Sequence, residues 1–156
     1  MAASVQIREV QPSDREALVA MRVALWPESS AGEHAAEVDA YLSHTVPGAL
    51  PAAILVALES SGIVSGFLEV DLRSHADGCD PAQPVGYVEG WFVREEFRGR
   101  GVGAALLRAA EQWARTRGAV EMASDVLIDN LGSQEAHRAL GFEEVDRCVH
   151  LRKRLE

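Results

Sequence analysis

The sequence predicts a mixed α/β (α+β) domain with a mainly antiparallel central sheet and helices on both faces. Three observations predict it. Ala52–Leu58 and Ile63–Leu72 are apolar, β-rich runs joined by Glu59-Ser60-Ser61-Gly62, which reads as an antiparallel hairpin. Val85–Val93 runs through a glycine-rich loop into Gly101–Arg117, where Val102, Ala105, Leu106, Ala109 and Trp113 recur at helical spacing. The full order is β-α-α-β-β-β-α-β-α-β-β, with no linker, repeat or low-complexity tract, so residues 1–156 read as one domain.

The elements follow in order. Val5–Val10 alternates and reads as the first strand. Gln11-Pro12-Ser13-Asp14 stops it and supplies an N-cap, with Glu16 nearby. Leu18, Met21, Arg22 and Leu25 form a helical stripe ending at Trp26-Pro27, and a second helix is expected over Gly32–Ser43. After the hairpin, residues 74–84 are a polar, turn-rich loop before the strand Val85–Val93. The long helix ends at Arg117-Gly118, a terminal base and a C′ glycine. Val120–Leu127 reads as a strand, Asn130–Leu140 as a helix stopped by Gly141, and Phe142–Arg154 as two final short strands.

Charge narrows the function. The formal net charge is −9. Residues 23–93 hold ten acids and a single base, Arg73, whereas residues 94–156 hold eleven of each. An acidic chain of this kind argues against nucleic acid, whose binders carry a basic face. It favours a cationic partner, with a solvated acidic surface as the plain alternative. No apolar run approaches the roughly 20 residues of a membrane helix, and MAASVQIREV lacks the regions of a signal peptide. Cys79 and Cys148 make neither a disulfide framework nor a CxxC pair, which fits a reduced, cytoplasmic compartment. No His/Cys/Asp cluster has metal-ligand spacing, so no metal is expected.

The chemistry concentrates in Glu89–Ala104. A strand enters a loop with glycines at 99, 101 and 103 and then a strong helix. Glycines let the backbone turn tightly and approach a ligand. Free N–H groups at a helix N-terminus favour an anion, and Arg98 and Arg100 add charged donors. The arrangement predicts a pyrophosphate site, against the alternative of a plain tight turn. A dinucleotide fingerprint fits less well, because that motif belongs to an early βαβ unit with an acid about 20 residues on.

The spacing Arg98-x-x-Gly101-x-Gly103 resembles the acyl-CoA loop of the GNAT superfamily of N-acetyltransferases, whose pattern is Gln/Arg-x-x-Gly-x-Gly/Ala after the fourth strand. Element order, length and the later Asn130…Gly141-Phe142 segment match as well. Within the superfamily, Leu25-Trp26-Pro27, Gly78-Cys79-Asp80, Glu89-Gly90, Glu121-Met-Ala-Ser-Asp125 and His137-x-Ala-Leu-Gly-Phe-Glu-Glu144 resemble the aminoglycoside 6′-N-acetyltransferases. Two places depart from that pattern. The loop before Cys79 is short and lacks a tyrosine, and Val149-His150-Leu151 lacks an aromatic pair.

The resemblance implies an acetyl-CoA-dependent transferase without metal, and a cleft where strands four and five splay apart around the acyl arm. Trp91, Phe92 and Val93 would line one wall and Ala123–Asp125 the other. Arg98, Gly99, Arg100, Gly101, Val102, Gly103 and Ala104 would hold the phosphates, and Asn130 the pantetheine arm. It assigns Glu89 and Asp125 to acceptor binding and general-base work, His137 to protonation of the leaving thiolate, and Trp26, Glu28 and Asp80 to the acceptor side. Plainer roles stand beside these: salt-bridged strand carboxylates for Glu89 and Asp125, a core histidine for His137, a helix N-cap for Asn130 and core packing for Trp26.

No serine or cysteine nucleophile with a local base is evident, so direct attack in a ternary complex is expected. The resemblance implies a primary amine as the acceptor. An aminoglycoside leads, and a polyamine, a lysine or a peptide N-terminus is the alternative. A non-catalytic acyl-CoA-binding module is the alternative from another class. Family members are often homodimers, and the final strands are candidates for sharing between subunits.

Overall fold

The computed structural model describes residues 4–44 and 51–156. Its strands are β1 (Gln6–Glu9), β2 (Ala52–Leu58), β3 (Val64–Arg73), β4 (Val85–Val93) and β5 (Glu121–Ser124). Its helices are α1 (Arg15–Leu25), α2 (Ala31–Leu42), α3 (Val102–Arg115) and α4 (Leu131–Ala139). The sheet order is β1-β2-β3-β4-β5, antiparallel up to β4, with β5 parallel to β4 through the α3 crossover. The expected mixed, mainly antiparallel sheet is therefore present. Residues 1–3, the start of the MAASVQIREV segment, lie outside the described residues. Among the described residues no helix is long and apolar enough to cross a membrane.

Two apolar layers sandwich the sheet. On one face, Val102, Leu106, Leu107 and Ala110 of α3 pack on Ala53, Leu55, Ala57, Leu68, Val70 and Val88. On the other, Leu18, Met21 and Val38 of α1 and α2 pack on Ile54, Val56 and Phe67. Each fully buried valine, leucine, isoleucine, methionine or phenylalanine here contributes about 1.5–3 kcal/mol.

Local chemistry sets the helix starts. Ser30 and Glu33 cap α2 reciprocally: Glu33 N–H donates to Ser30 Oγ (3.2 Å) and Ser30 N–H to the Glu33 carboxylate (2.7 Å). This box starts the helix before Gly32. Asp14, within the expected capping segment, is the N-cap residue of α1, but its side chain turns back and does not cap the helix. Its buried carboxylate accepts from Gln11 N–H (2.8 Å) and from both terminal nitrogens of Arg8 (2.6 and 3.0 Å). Arg8 thereby holds the Asp14 carboxyl below the usual range.

Two expected features differ. The strand over Val120–Leu127 is shorter, because the chain leaves the sheet after Ser124 and turns through Leu127–Asn130. The two final strands within Phe142–Arg154 do not form. A strand needs a partner edge, and in the single chain Val145, Val149, Leu151 and Leu155 are 63–90% exposed instead.

Candidate active site

The site begins with a register slip. In β3 and β4, Glu69 opposes Gly90 and Val70 opposes Val88, so Glu89 has no opposite residue. It is the extra residue of a β-bulge, a device that re-aims a side chain. Cross-strand partners share a face. Leu68 with Trp91 and Gly66 with Val93 face α3. Phe67 with Phe92, Glu69 with Gly90, and Asp71 with Tyr87 face α1 and α2. Two residues expected to line one cofactor wall, Trp91 and Val93, thus lie on the α3 face. Phe92 points the other way and packs against Phe67 at 6.3 Å between ring centres. Its side chain belongs to the second core.

β4 pairs with β5 only from Val85↔Glu121 to Val88↔Ser124. From Glu89 onward β4 has no β5 partner among the described residues. The sheet therefore opens into a cleft, with Ser124 at its apex.

On the α3 face the glycine loop has the shape an anion needs. Gly99 and Gly101 adopt φ of 72° and 82°, which side-chain-bearing residues rarely take. Gly101 is the N-cap of α3, and the first intrahelical bond is Ala105 N–H to Gly101 C=O (3.0 Å). The amides of Val102, Gly103 and Ala104 precede it and have no intrahelical acceptor. Arg98 donates to the Val93 carbonyl (2.8 Å), and Arg100 lies over Phe97. A Cβ on Gly103 would come within 3.3 Å of Trp91, so this glycine lets α3 lie close to the indole. Trp91 Nε1 is buried without a hydrogen-bond partner. A donor left open beside free amides is suited to a ligand with acceptor oxygens.

Beside it lies His137, buried between Trp91 (5.1 Å) and Phe142 (5.0 Å). Its Nδ1 lies 2.7 Å from the Ser133 carbonyl, which can only accept, so Nδ1 carries a proton. Its Nε2 lies 2.9 Å from Ser124 Oγ. The imidazole therefore meets the cleft through a serine hydroxyl. Ser124 falls within the expected wall Ala123–Asp125, but its contact with His137 was not foreseen, because no periodicity sets residue 124 against residue 137. Asn130 caps α4, accepting from Ser133 N–H (3.1 Å), which matches the plainer of its two expected roles.

On the opposite face, Glu89 accepts from Arg73 Nε (3.1 Å) and Nη2 (2.5 Å). The Arg73 guanidinium stacks on Tyr87 at 3.5 Å from the ring centre. Tyr87 O–H donates to Asp125 (3.1 Å), and burial together with Asp125 raises the phenol to about 12. One chain of contacts thus joins the two expected carboxylates. Glu89 is half-buried and Asp125 exposed.

Glu89 also borders a cavity of about 240 Å³ lined by Arg22, Glu37, Tyr41, Glu69 and Asp71. Arg22 is buried and bonded to both Glu37 and Glu69. Burial pushes the Glu69 carboxyl up, against the pull of Arg22. Trp26 roofs this side. It stacks on His34 and Arg22 and lies where a Cβ on Gly90 would come within 2.5 Å. It therefore serves the core and packs against Gly90, the residue after Glu89.

Other acceptor-side expectations fall elsewhere. Glu28 is exposed in the turn between α1 and α2. Asp80 N–H donates to Glu121, at the start of β5, about 13 Å along the strand from Asp125. The structure does not bring Asp80 to Glu89. Of the other acids in α2, Glu33 caps the helix and Asp39 is bonded to Arg15 (2.6 and 2.8 Å). Burial and Glu121 raise the Cys79 thiol, which disfavours a thiolate there. Among the described residues no group of His, Cys, Asp and Glu is placed to hold a metal.

Known proteins share the sequence pattern and the fold. The acetyltransferase (GNAT) family profile matches residues 18–142. The chain is 41% identical over 155 residues to an aminoglycoside N(6′)-acetyltransferase type 1 of Klebsiella aerogenes, covering 99% of this chain and 100% of that one. It is 36% identical over 156 residues to the enzyme of that name from Stenotrophomonas maltophilia, covering 100% and 97%. Among solved structures it resembles AAC(6′)-Iy in complex with the bisubstrate analogue CoA-S-monomethyl-acetylneamine. That match has a TM-score of 0.86 and 35% identity, and covers 98% of this chain and 100% of that one. The same enzyme with CoA matches at a TM-score of 0.87.

Proposed function

The chain belongs to the GNAT acetyltransferase family, and from that premise we propose that it transfers acetyl from acetyl-CoA to the 6′-amine of an aminoglycoside in a ternary complex. One observation carries the proposal: β4 presents a phosphate-type loop to one face and the bulged Glu89 to the other, with the β4–β5 cleft between them. A donor held on the α3 face can meet an amine held on the acid-lined face only through that opening. The neamine-derived bisubstrate analogue bound by AAC(6′)-Iy, a relative with the same fold, supports this acceptor.

Acetyl-CoA supplies the activated acyl group, and each step at this chain's residues has a physical cause. The free amides of Val102, Gly103 and Ala104, together with Arg98 and Arg100, take the pyrophosphate. The β4 backbone beyond Val88 offers N–H groups to the thioester oxygen, as an oxyanion contact. Glu89 receives the proton of the acceptor ammonium, and Asp125 holds the amine from the other side of the cleft. His137 acts on the departing thiolate through the Ser124 hydroxyl. Ser124→Ala should lower kcat about 10-fold and leave the acetyl-CoA KM within about twofold, since the phosphate loop is untouched. A fall in acetyl-CoA affinity equal to the fall in kcat would remove the relay.

The deciding experiment is thiol release from acetyl-CoA. An aminoglycoside with a 6′-amine should support turnover, and the same scaffold with a 6′-hydroxyl should not. Equal rates on spermidine or a lysine peptide would replace the acceptor assignment. We place this reaction in the cytoplasm, with the chain acting as one acetyltransferase domain. We further propose a homodimer. The exposed aliphatic residues of 145–155 and the open edge of β5 are suited to pairing with a second copy. Sedimentation should give twice 16.9 kDa for the full chain, and deletion of residues 145–156 should return it to a monomer.

A further inference from the structure

Asp71 stands next to Glu89 and has no place in the chemistry so far. It sits on β3 opposite Tyr87, two residues beyond Glu69 on the same face. Its carboxyl and that of Glu89 converge on one guanidinium, Arg73, and line the same cavity, while its Oδ1 is buried without a hydrogen-bond partner. Every charged group around it is already committed. From β3, Arg73 Nε is 3.9 Å away and bound to Glu89, and Glu69 is bound to Arg22. From β4, Tyr87 is bound to Asp125. From α1 and α2, Arg22 is shared with Glu37, and Tyr41 O–H donates to Glu9 (2.7 Å). Ala52, its neighbour on β2, carries no charge.

Two carboxylates sharing a site cannot both ionise without cost, so such a pair tends to hold a proton between them. We propose that Asp71 is a positioning residue for the base: it shares one proton with Glu89, and the proton leaving the acceptor ammonium comes to rest on this pair. The inference rests on Glu89 being the base. A single solvated carboxylate is far too acidic to take a proton from an alkylammonium. With Asp71 beside Glu89, the pair gains a site near the working pH, where a general base is most effective. Burial first, and then Glu89, raises the Asp71 carboxyl to about 7.

The protons balance. One N–H proton passes from the ammonium to the carboxylate pair, and the freed lone pair attacks the thioester carbon. The C–S bond then breaks with its electrons on sulfur. The second N–H proton of the tetrahedral adduct reaches the thiolate. The pair returns its proton to water, so each turnover releases one proton and one thiol.

The test compares wild type, Asp71→Asn and Glu89→Gln across pH, with one neamine-type acceptor throughout. For wild type, kcat/KM should fall below about pH 7, where the pair is already protonated. In Asp71→Asn the acidic limb should move down by about two pH units, toward an ordinary carboxylate, and the rate at pH 8 should drop about 10-fold. A residue that only supports the fold would lower the rate and leave the limb in place, and that result overturns the proposal. If Glu89→Gln keeps wild-type activity, the base assignment itself falls, whatever Asp71 does. Should Asp71→Asn be too slow to profile, infrared titration decides. A carboxylic-acid band lost near pH 7 in wild type and absent in Asp71→Asn supports the shared proton, and its persistence in the variant refutes it.

Discussion

Glu89→Gln is expected to lower kcat/KM for the acceptor by about 10²–10⁴-fold, with acetyl-CoA affinity held within about twofold. The amide keeps the shape of the side chain but cannot take a proton. It also strips Arg73 of its carboxylate and Asp71 of its proton-sharing partner. The phosphate loop lies on the other face of the sheet, so the donor side should not notice. Asp125→Asn provides the contrast. Asp125 is exposed and meets this network through the Tyr87 hydroxyl, so its loss should cost about 10-fold and act mainly on the acceptor KM. Steady-state kinetics at saturating acetyl-CoA separates the two. A larger loss in Asp125→Asn than in Glu89→Gln would exchange their roles.

Arg22→Met should cost about 3–5 kcal/mol of folding stability, measured by urea denaturation. Arg22 is 7% exposed and is the cation bonded to Glu69, which burial already pushes toward its neutral form. Removing one member of a buried pair strands the other, and that penalty exceeds what the pair contributes over apolar side chains. Glu37 is 64% exposed, so its share of the loss is small. The sign with pH follows. A carboxyl raised in the folded state binds more protons there than in the unfolded chain, so stability falls as pH rises through that range. The variant should therefore be least stable at the alkaline end. Adding Glu69→Leu should recover most of the loss. If the single variant costs under about 1 kcal/mol, the pair does not hold the floor of the acceptor cavity.

The same pairs recast the charge asymmetry of the chain. The excess of acids in residues 23–93 reads from sequence as a surface waiting for a cation. Folding commits part of it internally. Arg15 and Arg22, from the first 22 residues, reach across to Asp39, Glu37 and Glu69. Asp71, named in no sequence motif, meets Arg73 only at 3.9 Å, because that cation is bonded to Glu89. Which acids stay available was not legible in the sequence, because it depends on contacts 15 to 47 residues apart.

The rest of the site divides in the same way. The glycine loop and the start of α3 were legible, because backbone freedom and helical periodicity are local properties. The Ser124–His137 contact and the opposite faces taken by Phe92 and Trp91 were not. Period-2 alternation predicts faces only until a bulge resets it. The final strands expected within Phe142–Arg154 do not form for a related reason: within the single chain the segment has no sheet edge to pair with.

That reset at Glu89 makes β4 two half-strands running out of step with each other. Upstream, Tyr87 points to the α1–α2 side and Val88 to the α3 side. Downstream, Gly90 and Phe92 take the first side, and Trp91 and Val93 the second. Without Glu89, the pairs Val88–Val70 and Gly90–Glu69 would simply follow one another and every neighbouring side chain would keep its face, so the extra residue serves the site and not the pairing. Deletion of residue 89 should therefore leave urea stability close to that of the parent chain and abolish acetyl transfer.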